Sequence, residues 1–296
     1  MTWYNPAMFK KIVIFGVGLI GGSVALALKK HPHAPHITGV GRSGHSLQEA
    51  LQRGLIDTAE TDLGLALSGA DLVLIATPVA QTPDILKAIR PYINEHMVIT
   101  DAGSTKSDVM AYARAELGDH IGQFVGGHPI AGAEKSGPSA ALADLYVGKN
   151  VILTPEPTTQ PQAFEKATAL WQQCGAVVSN MSPQEHDSVF AAVSHLPHLL
   201  AFALVDDLAK RDNAELLFKF AASGFRDFTR IAGSHPEMWR DIALANKQAL
   251  LNELKTYQQA VSHMTLLLEN GDGDALHTLF DRASRARNDW AKSKIQ

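Results

Sequence analysis

The 296 residues are enough for two domains at roughly 100–200 residues each, and a composition of 46% apolar and 19% charged residues is that of an ordinary globular protein. A net charge of −4 without a basic run argues against a nucleic-acid partner. A single cysteine, Cys174, excludes an intrachain disulfide, fits a reducing compartment and reads as a small core residue rather than a nucleophile.

The first residues, MTWYNPAMFKK, hold no apolar run of signal-peptide length, and no later run reaches the ~20 apolar residues of a membrane span, so a cytoplasmic protein without membrane contact is expected. Lys11–Phe15 (KIVIF) predicts a first strand ending in glycines. Further strands are predicted at 36–40, 71–76, 97–100, 123–126, 150–154 and 177–180, with helical segments at 22–30, 46–53 and 82–89 between them. Alternation of apolar strands with helices predicts a parallel sheet covered on both faces.

Strand signals stop near Ser182-Pro183. The expected division is a dinucleotide-binding domain over 1–182 and an all-helical domain over 183–296. Residues 236–270 read as one long helix, with Pro236 in its first turn and Gly271 at its end. Its apolar positions, among them Trp239, Leu250, Tyr257, Val261 and Leu268, recur at helical spacing. At 1.5 Å per residue such a helix is roughly 50 Å long, which suits packing against a second chain or spanning a large helical domain.

GVGLIG, comprising Gly16, Val17, Gly18, Leu19, Ile20 and Gly21, follows the first strand directly and opens a helix. Gly16 permits the tight turn, Gly18 lets a pyrophosphate approach the backbone, and Gly21 lets helix and sheet pack closely. The helix N-terminus then offers free N–H groups to phosphates. NAD sites usually carry an acidic residue about 20 residues on. Here the second strand ends Gly41-Arg42-Ser43, without a carboxylate. Arg42 and Ser43 suit a 2′-phosphate, favouring NADP over NAD, unless Arg42 is only a solvated loop residue. Thr77-Pro78, at the end of the third predicted strand, either borders the nicotinamide half or forms a plain turn.

Two polar segments, Asp101–Lys106 (DAGSTK) and 127–132 (GHPIAG), follow predicted strands and should face the same crevice. Ser104 is placed to bond a substrate hydroxyl, to cap the next helix, or both. His128 precedes Pro129 and is therefore extended. A neutral imidazole there suits a general base for oxidising a carbinol. His195 and His198 have HxxH spacing, but no acidic third ligand stands beside them and no metal is expected.

GVGLIGGS, DAGSTK, GGHPIAGAEKSG (126–137), SHLPH (194–198) and GFRDFTRIAGSHPEMWRDI (224–242) occur in this order, and together they resemble the prephenate/arogenate dehydrogenases of tyrosine biosynthesis. The resemblance implies a Rossmann domain joined to an all-α dimerisation domain, a homodimer, and oxidative decarboxylation of a cyclohexadiene acid. It implies His128 as base, Ser104 supporting the same hydroxyl and helping to orient His128, and His198, His195 and Trp239 at the substrate. It also implies Arg230 on a substrate carboxylate, which a guanidinium matches bidentately. From the residues alone, Arg226 could instead pair with Asp227 or Asp241, and Trp239 could be plain core. The NADP preference fits an arogenate-using or dual-specific enzyme, and no residue excludes prephenate. A β-hydroxyacid-type dehydrogenase would need an early lysine in the helical domain, where only Lys210 stands, well downstream. A catalytically silent dinucleotide sensor would have no use for Ser104, His128 and Arg230.

Overall fold

The computed structural model describes residues 9–132 and 135–293. The expectation placed on the first eight residues, and Ala133 and Glu134 of the 126–137 motif, lie outside them. Eight strands form one sheet: β1 (Lys11–Phe15), β2 (His36–Val40), β3 (Thr58–Glu60), β4 (Leu72–Ile75), β5 (Val98–Asp101), β6 (Phe124–Pro129), β7 (Asn150–Thr154) and β8 (Val177–Asn180). Their order is β3-β2-β1-β4-β5-β6-β7-β8. The first six run parallel, whereas β7 is antiparallel to β6 and β8 is parallel to β7, so the sheet is Rossmann-like but not wholly parallel.

Alternate residues of the central strands feed two separate cores, as the pleat requires. Ile12, Ile14, Leu72 and Leu74 join one core with the helices Leu19–Lys29 and Pro161–Gln173. Val13, Phe15, Val73 and Ile75 join the other with the helices Thr82–Ile89 and Ser107–Leu117. Burial on both faces explains why these strands read as continuous apolar runs. β3 was not expected, because Thr-Ala-Glu carries no such run. Side chains anchor it instead: Thr38 and Thr58 hydroxyls lie 2.9 Å apart, and Asp57 accepts from the Ile37 N–H at 2.7 Å.

β6 does not stop at Gly126 but continues through His128 and Pro129, pairing with β7. His128 is therefore a strand residue, not a loop residue. Gly126 and Gly127 allow close approach on the two sides of β6: a Cβ on Gly126 would strike the Thr154 hydroxyl of β7, and one on Gly127 would lie 2.7 Å from the Asp101 carbonyl of β5.

Beyond β8 the chain is helical. Pro183–Phe190 and Leu196–Ala209 join through a π turn, Ala191–His195. Contrary to expectation, the resulting 27-residue run is long and apolar enough, by length and composition, to cross a membrane. It also carries the buried polar residues His186, Asp187 and His195, which bond to other parts of the protein, and this marks it as an element of the site described below.

The expected helix over 236–270 is two helices, Pro236–Ala245 and Lys247–Glu269. Asn246 leaves helical geometry (φ −100°, ψ 32°) because its buried side-chain amide is held by Asp187 and His195. One compact unit runs to Lys247 and a second begins at Gln248. In the second unit the Lys247–Glu269 helix turns at Gly271 (φ +62°) into Gly273–Ser293. That unit exposes Tyr257, Val261, Leu268, Phe280 and Trp290.

Candidate active site

The turn after β1 is built on glycine. Gly16 has φ +87°, and a Cβ there would lie 2.7 Å from the Ala76 carbonyl. A Cβ on Gly21 would run into the Gly16 carbonyl and lie 2.8 Å from Ile14 Cγ2. Gly18 has open space around its Cβ position. As N-cap of Leu19–Lys29, Gly18 supplies no side-chain cap, so first-turn N–H groups are left for a ligand. The adjoining cavity, about 830 Å³, is lined by Gly16, Gly18, Arg42, Ser43, Thr77 and Pro78 among others. Its size and glycine wall suit a dinucleotide, and Thr77 Oγ1, buried without a partner among the described residues, offers a further polar contact.

The side chains of Leu19 and Ile20 turn away from that wall, while their backbone N–H groups belong to the first turn. Both side chains pack against the core, and the Ile20 carbonyl accepts from the Tyr146 hydroxyl at 2.7 Å. Ser43 caps the Gly44–Gln52 helix, accepting from the Ser46 N–H at 3.3 Å. Arg42 is exposed and forms no ion pair with the described residues. Asp84, which the sequence reading missed, also lines the cavity.

A buried polar chain converges on His128. Its Nδ1 lies 2.8 Å from His186 Nε2, and His186 Nδ1 lies 2.8 Å from Asp187 Oδ1. Asp187 accepts the backbone N–H groups of Lys106 and Ser107, each at 2.8 Å, and so caps the Ser107–Leu117 helix from about 80 residues away in sequence. That corrects one expectation: Ser104 is not the cap, because Lys106 holds the N-cap position and Asp187 supplies the acceptors. Nor does the Ser104 hydroxyl bond His128; His186 does. The Lys106 ammonium pairs with the Asp101 carboxylate, both fully buried, and Asp101 also accepts from Gly103 N at 2.7 Å and Gly127 N at 3.0 Å. Phe190 packs edge-on to His128, with ring centroids 4.8 Å apart.

The electrostatics follow from burial. Burial, then His186, Lys106 and His195, hold the His128 imidazole well below its usual pKa. Burial likewise lowers His186 despite its bond to Asp187. Burial alone would raise Asp187, but its bonds from His186, Ser107 and Lys106 outweigh it and keep the carboxyl below the usual range. His195 is pushed down to about 4, again mainly by burial.

His198 stacks on Trp239, with ring centroids 3.6 Å apart and 20° between planes, and its Nδ1 is 2.8 Å from the Ser194 carbonyl. Burial lowers the His198 pKa, and the nearby Arg230 adds to the effect. His195 Nδ1 is 3.1 Å from the Asn246 amide nitrogen. His195 Nε2 and Trp239 Nε1 are buried without a hydrogen-bond partner among the described residues. Arg226 pairs with Asp227 at 3.5 Å, while Asp241 pairs with Arg240 at 2.7 Å. Lys210 is exposed and paired with Asp206, which leaves the β-hydroxyacid reading without its lysine. Cys174 is buried and its thiol is pushed up to about 12, as suits a core residue. Among the described residues no group of three His, Cys, Asp or Glu is arranged to hold a metal.

The structure thus joins His128 to His186, Asp187 and Asn246, which no motif flagged, and to Asp101 and Lys106, the two ends of the DAGSTK segment. The one local signal was Ser182-Pro183-Gln-Glu185, a helix start in which Ser182 accepts from the Glu185 N–H, and it places His186 and Asp187 directly after that capped start without saying what they meet.

Residues 24–180 match the family described as "Prephenate dehydrogenase, nucleotide-binding domain", and residues 182–282 match "Prephenate dehydrogenase, dimerization domain". The chain is 41% identical over 279 residues to the prephenate dehydrogenase of Bacillus subtilis, covering 94% of this chain and 75% of that protein. Its fold matches prephenate dehydrogenase from Aquifex aeolicus, solved with hydroxyphenyl propionate and NAD+, at a TM-score of 0.88 and 36% identity over 97% of this chain and 99% of that one. It also matches Synechocystis arogenate dehydrogenase at a TM-score of 0.80 and 30% identity, covering 95% and 99% of the two chains. The dimerization-domain match supports a homodimer, and the nucleotide-binding match supports a nicotinamide cofactor. A glycine-built cavity, a buried histidine chain and both family domains in sequence lead to one assignment: the chain belongs to the prephenate dehydrogenase family of oxidoreductases.

Proposed function

We propose that the protein oxidatively decarboxylates prephenate, arogenate or both, with His128 as general base. The observation that carries this reading is the His128–His186–Asp187 chain, which holds a neutral imidazole on β6 beside the dinucleotide-binding fold. A bound nicotinamide supplies the hydride acceptor for C4 of the ring. His128 accepts the 4-hydroxyl proton as C4 becomes a carbonyl carbon. The ring C–CO2 bond then breaks, its electron pair enters the ring, and the phenolate so formed takes the proton back from His128. Aromatisation and loss of carbon dioxide make the reaction effectively irreversible.

Gly16, Gly18 and Gly21, with Thr77 and Pro78, would hold the dinucleotide. Arg42 lining the cavity, and the lack of a carboxylate at the end of β2, support NADP over NAD. Ser104 would bond the reacting hydroxyl. His198, stacked on Trp239, would contact the side chain of the substrate together with His195, and Arg230 beside His198 would take a carboxylate. Residues 1–182 form the dinucleotide domain in this reading and 183–296 the substrate and dimerisation domain, with the exposed apolar positions of the C-terminal helices suiting the dimer contact and a cytoplasmic location suiting the reaction. Steady-state assays of both acids with both cofactors test the proposal. Turnover of at least one acid is expected, faster with NADP; dinucleotide binding without turnover of either would overturn it. Arg230→Ala should chiefly raise KM, and an unchanged KM would move the carboxylate site elsewhere.

A further inference from the structure

We infer that His186 is a positioning residue: backed by Asp187, it holds His128 in the tautomer that carries its proton on Nδ1 and leaves Nε2 bare to receive the substrate's hydroxyl proton. This rests on the reading of His128 as base.

The hydrogen bonds fix the direction of every proton. Asp187 already accepts two backbone N–H groups and is ionised, so it can only accept from His186, whose Nδ1 must carry hydrogen. A neutral His186 then presents a lone pair at Nε2. Its partner at 2.8 Å, His128 Nδ1, must donate to it. His128, neutral in turn, keeps its lone pair on Nε2. Among the described residues that atom has no hydrogen-bond partner, and it is not fully buried, so it retains access to a ligand.

The opposite tautomer of His128 would need a proton on His186 Nε2. Either His186 would become a buried imidazolium, or its Nδ1 lone pair would face the Asp187 carboxylate. Burial and the Lys106 ammonium oppose the first, and charge repulsion opposes the second. The charged or titratable groups acting on this pair are Lys106, Asp101, Asp187 and His195. Asp187 cannot turn away, because the helix it caps pins its carboxylate and Asn246 pins its carbonyl. Once His128 accepts a proton, the same chain places the Asp187 charge behind the imidazolium. The logic is that of a serine-protease aspartate acting on its histidine, with a second histidine interposed.

Long-range 1H–15N correlation spectra of the histidine-labelled full chain near pH 7, with His128 assigned by its loss in His128→Asn, should show hydrogen on Nδ1 and a bare Nε2. Hydrogen on Nε2 would overturn the inference. His186→Phe removes the acceptor and should lower kcat by about 100-fold while KM for acid and dinucleotide stays within about twofold. His186→Gln returns an acceptor oxygen and should recover at least tenfold of that loss, roughly. Wild-type kcat in His186→Phe, or equal loss in both variants, would overturn the role. If His186→Phe does not fold, the wild-type spectrum and His186→Gln decide: a Gln variant showing His128 hydrogen on Nδ1 and substantial kcat supports it, and one with hydrogen on Nε2 at unchanged kcat overturns it. Normal turnover in His128→Asn would instead remove the base itself, a failure separable from that of His186.

Discussion

Asn246 donates its side-chain amide to the main-chain carbonyl of Asp187 at 2.7 Å, across 59 positions of sequence. This bond ends the Pro236–Ala245 helix and fixes the backbone of the residue that orients His186. Its loss removes one hydrogen bond from a carbonyl that still accepts the Ala191 N–H, at a cost of roughly 0.5–1.5 kcal/mol. Asn246→Leu should therefore lower the urea midpoint with an unchanged m value. A wild-type midpoint would show that the bond contributes nothing to stability.

The three glycines should separate by what surrounds them. Gly21→Ala places a Cβ against the Gly16 carbonyl, and Gly16→Ala adds a positive-φ penalty to a clash with Ala76. Both variants should lose stability as well as dinucleotide affinity. Gly18→Ala has room for its methyl in the free protein. It should melt like wild type yet bind dinucleotide about tenfold more weakly, because the methyl occupies the approach of the pyrophosphate. Calorimetric titration beside thermal melts distinguishes the two patterns.

The pH profile follows from the lowered histidines. As the proposed base, His128 would act only when neutral, and its folded pKa lies well below 6.5, so kcat/KM should stay level through neutrality and fall only at more acidic pH. Stability should fall earlier. His128, His186 and His195 are all held neutral in the fold, so the unfolded chain binds more protons once pH drops below its histidine pKa of about 6.5. Their contribution is complete above that pH and is lost as pH falls toward about 4, the value for His195. Denaturation midpoints across that window should decline steadily; a flat profile contradicts the assignment.

Lys106 and Asp101 form a pair with almost no solvent contact. Lys106→Met strands a buried carboxylate and should destabilise by roughly 3–5 kcal/mol. Adding Asp101→Asn removes the stranded charge and keeps an acceptor oxygen for one of the two N–H groups, Gly103 or Gly127, and should return part of the loss. A double variant no more stable than the single one would mean that the pair is not the origin of the effect.

Arg42→Ala should raise KM for NADP by about tenfold, with KM for NAD changed little, since a guanidinium–phosphate contact is charge-assisted. Equal effects on the two cofactors would return Arg42 to the status of a solvated loop residue.

The sequence by itself determined what repeats at short range. Continuous apolar strands, three glycines at fixed spacing and ordered motifs specified the Rossmann-like sheet, the cradle and the family, because these depend on residues adjacent along a strand or one helical turn apart. It could not show β3, held by threonine and aspartate side chains, or the antiparallel joint at β7, because strand direction is settled by what a strand pairs with. It misjudged 236–270, where helical periodicity persists through Asn246 and only a long-range bond breaks it. It likewise singled out His128 but offered Ser104 as one candidate cap and as an orienting partner, where the structure has Asp187 capping the helix and His186 bonded to His128. Those assignments needed tertiary structure, since a buried polar group takes whichever partner the fold brings within about 3 Å, and that partner lies 58 residues from His128 in the chain.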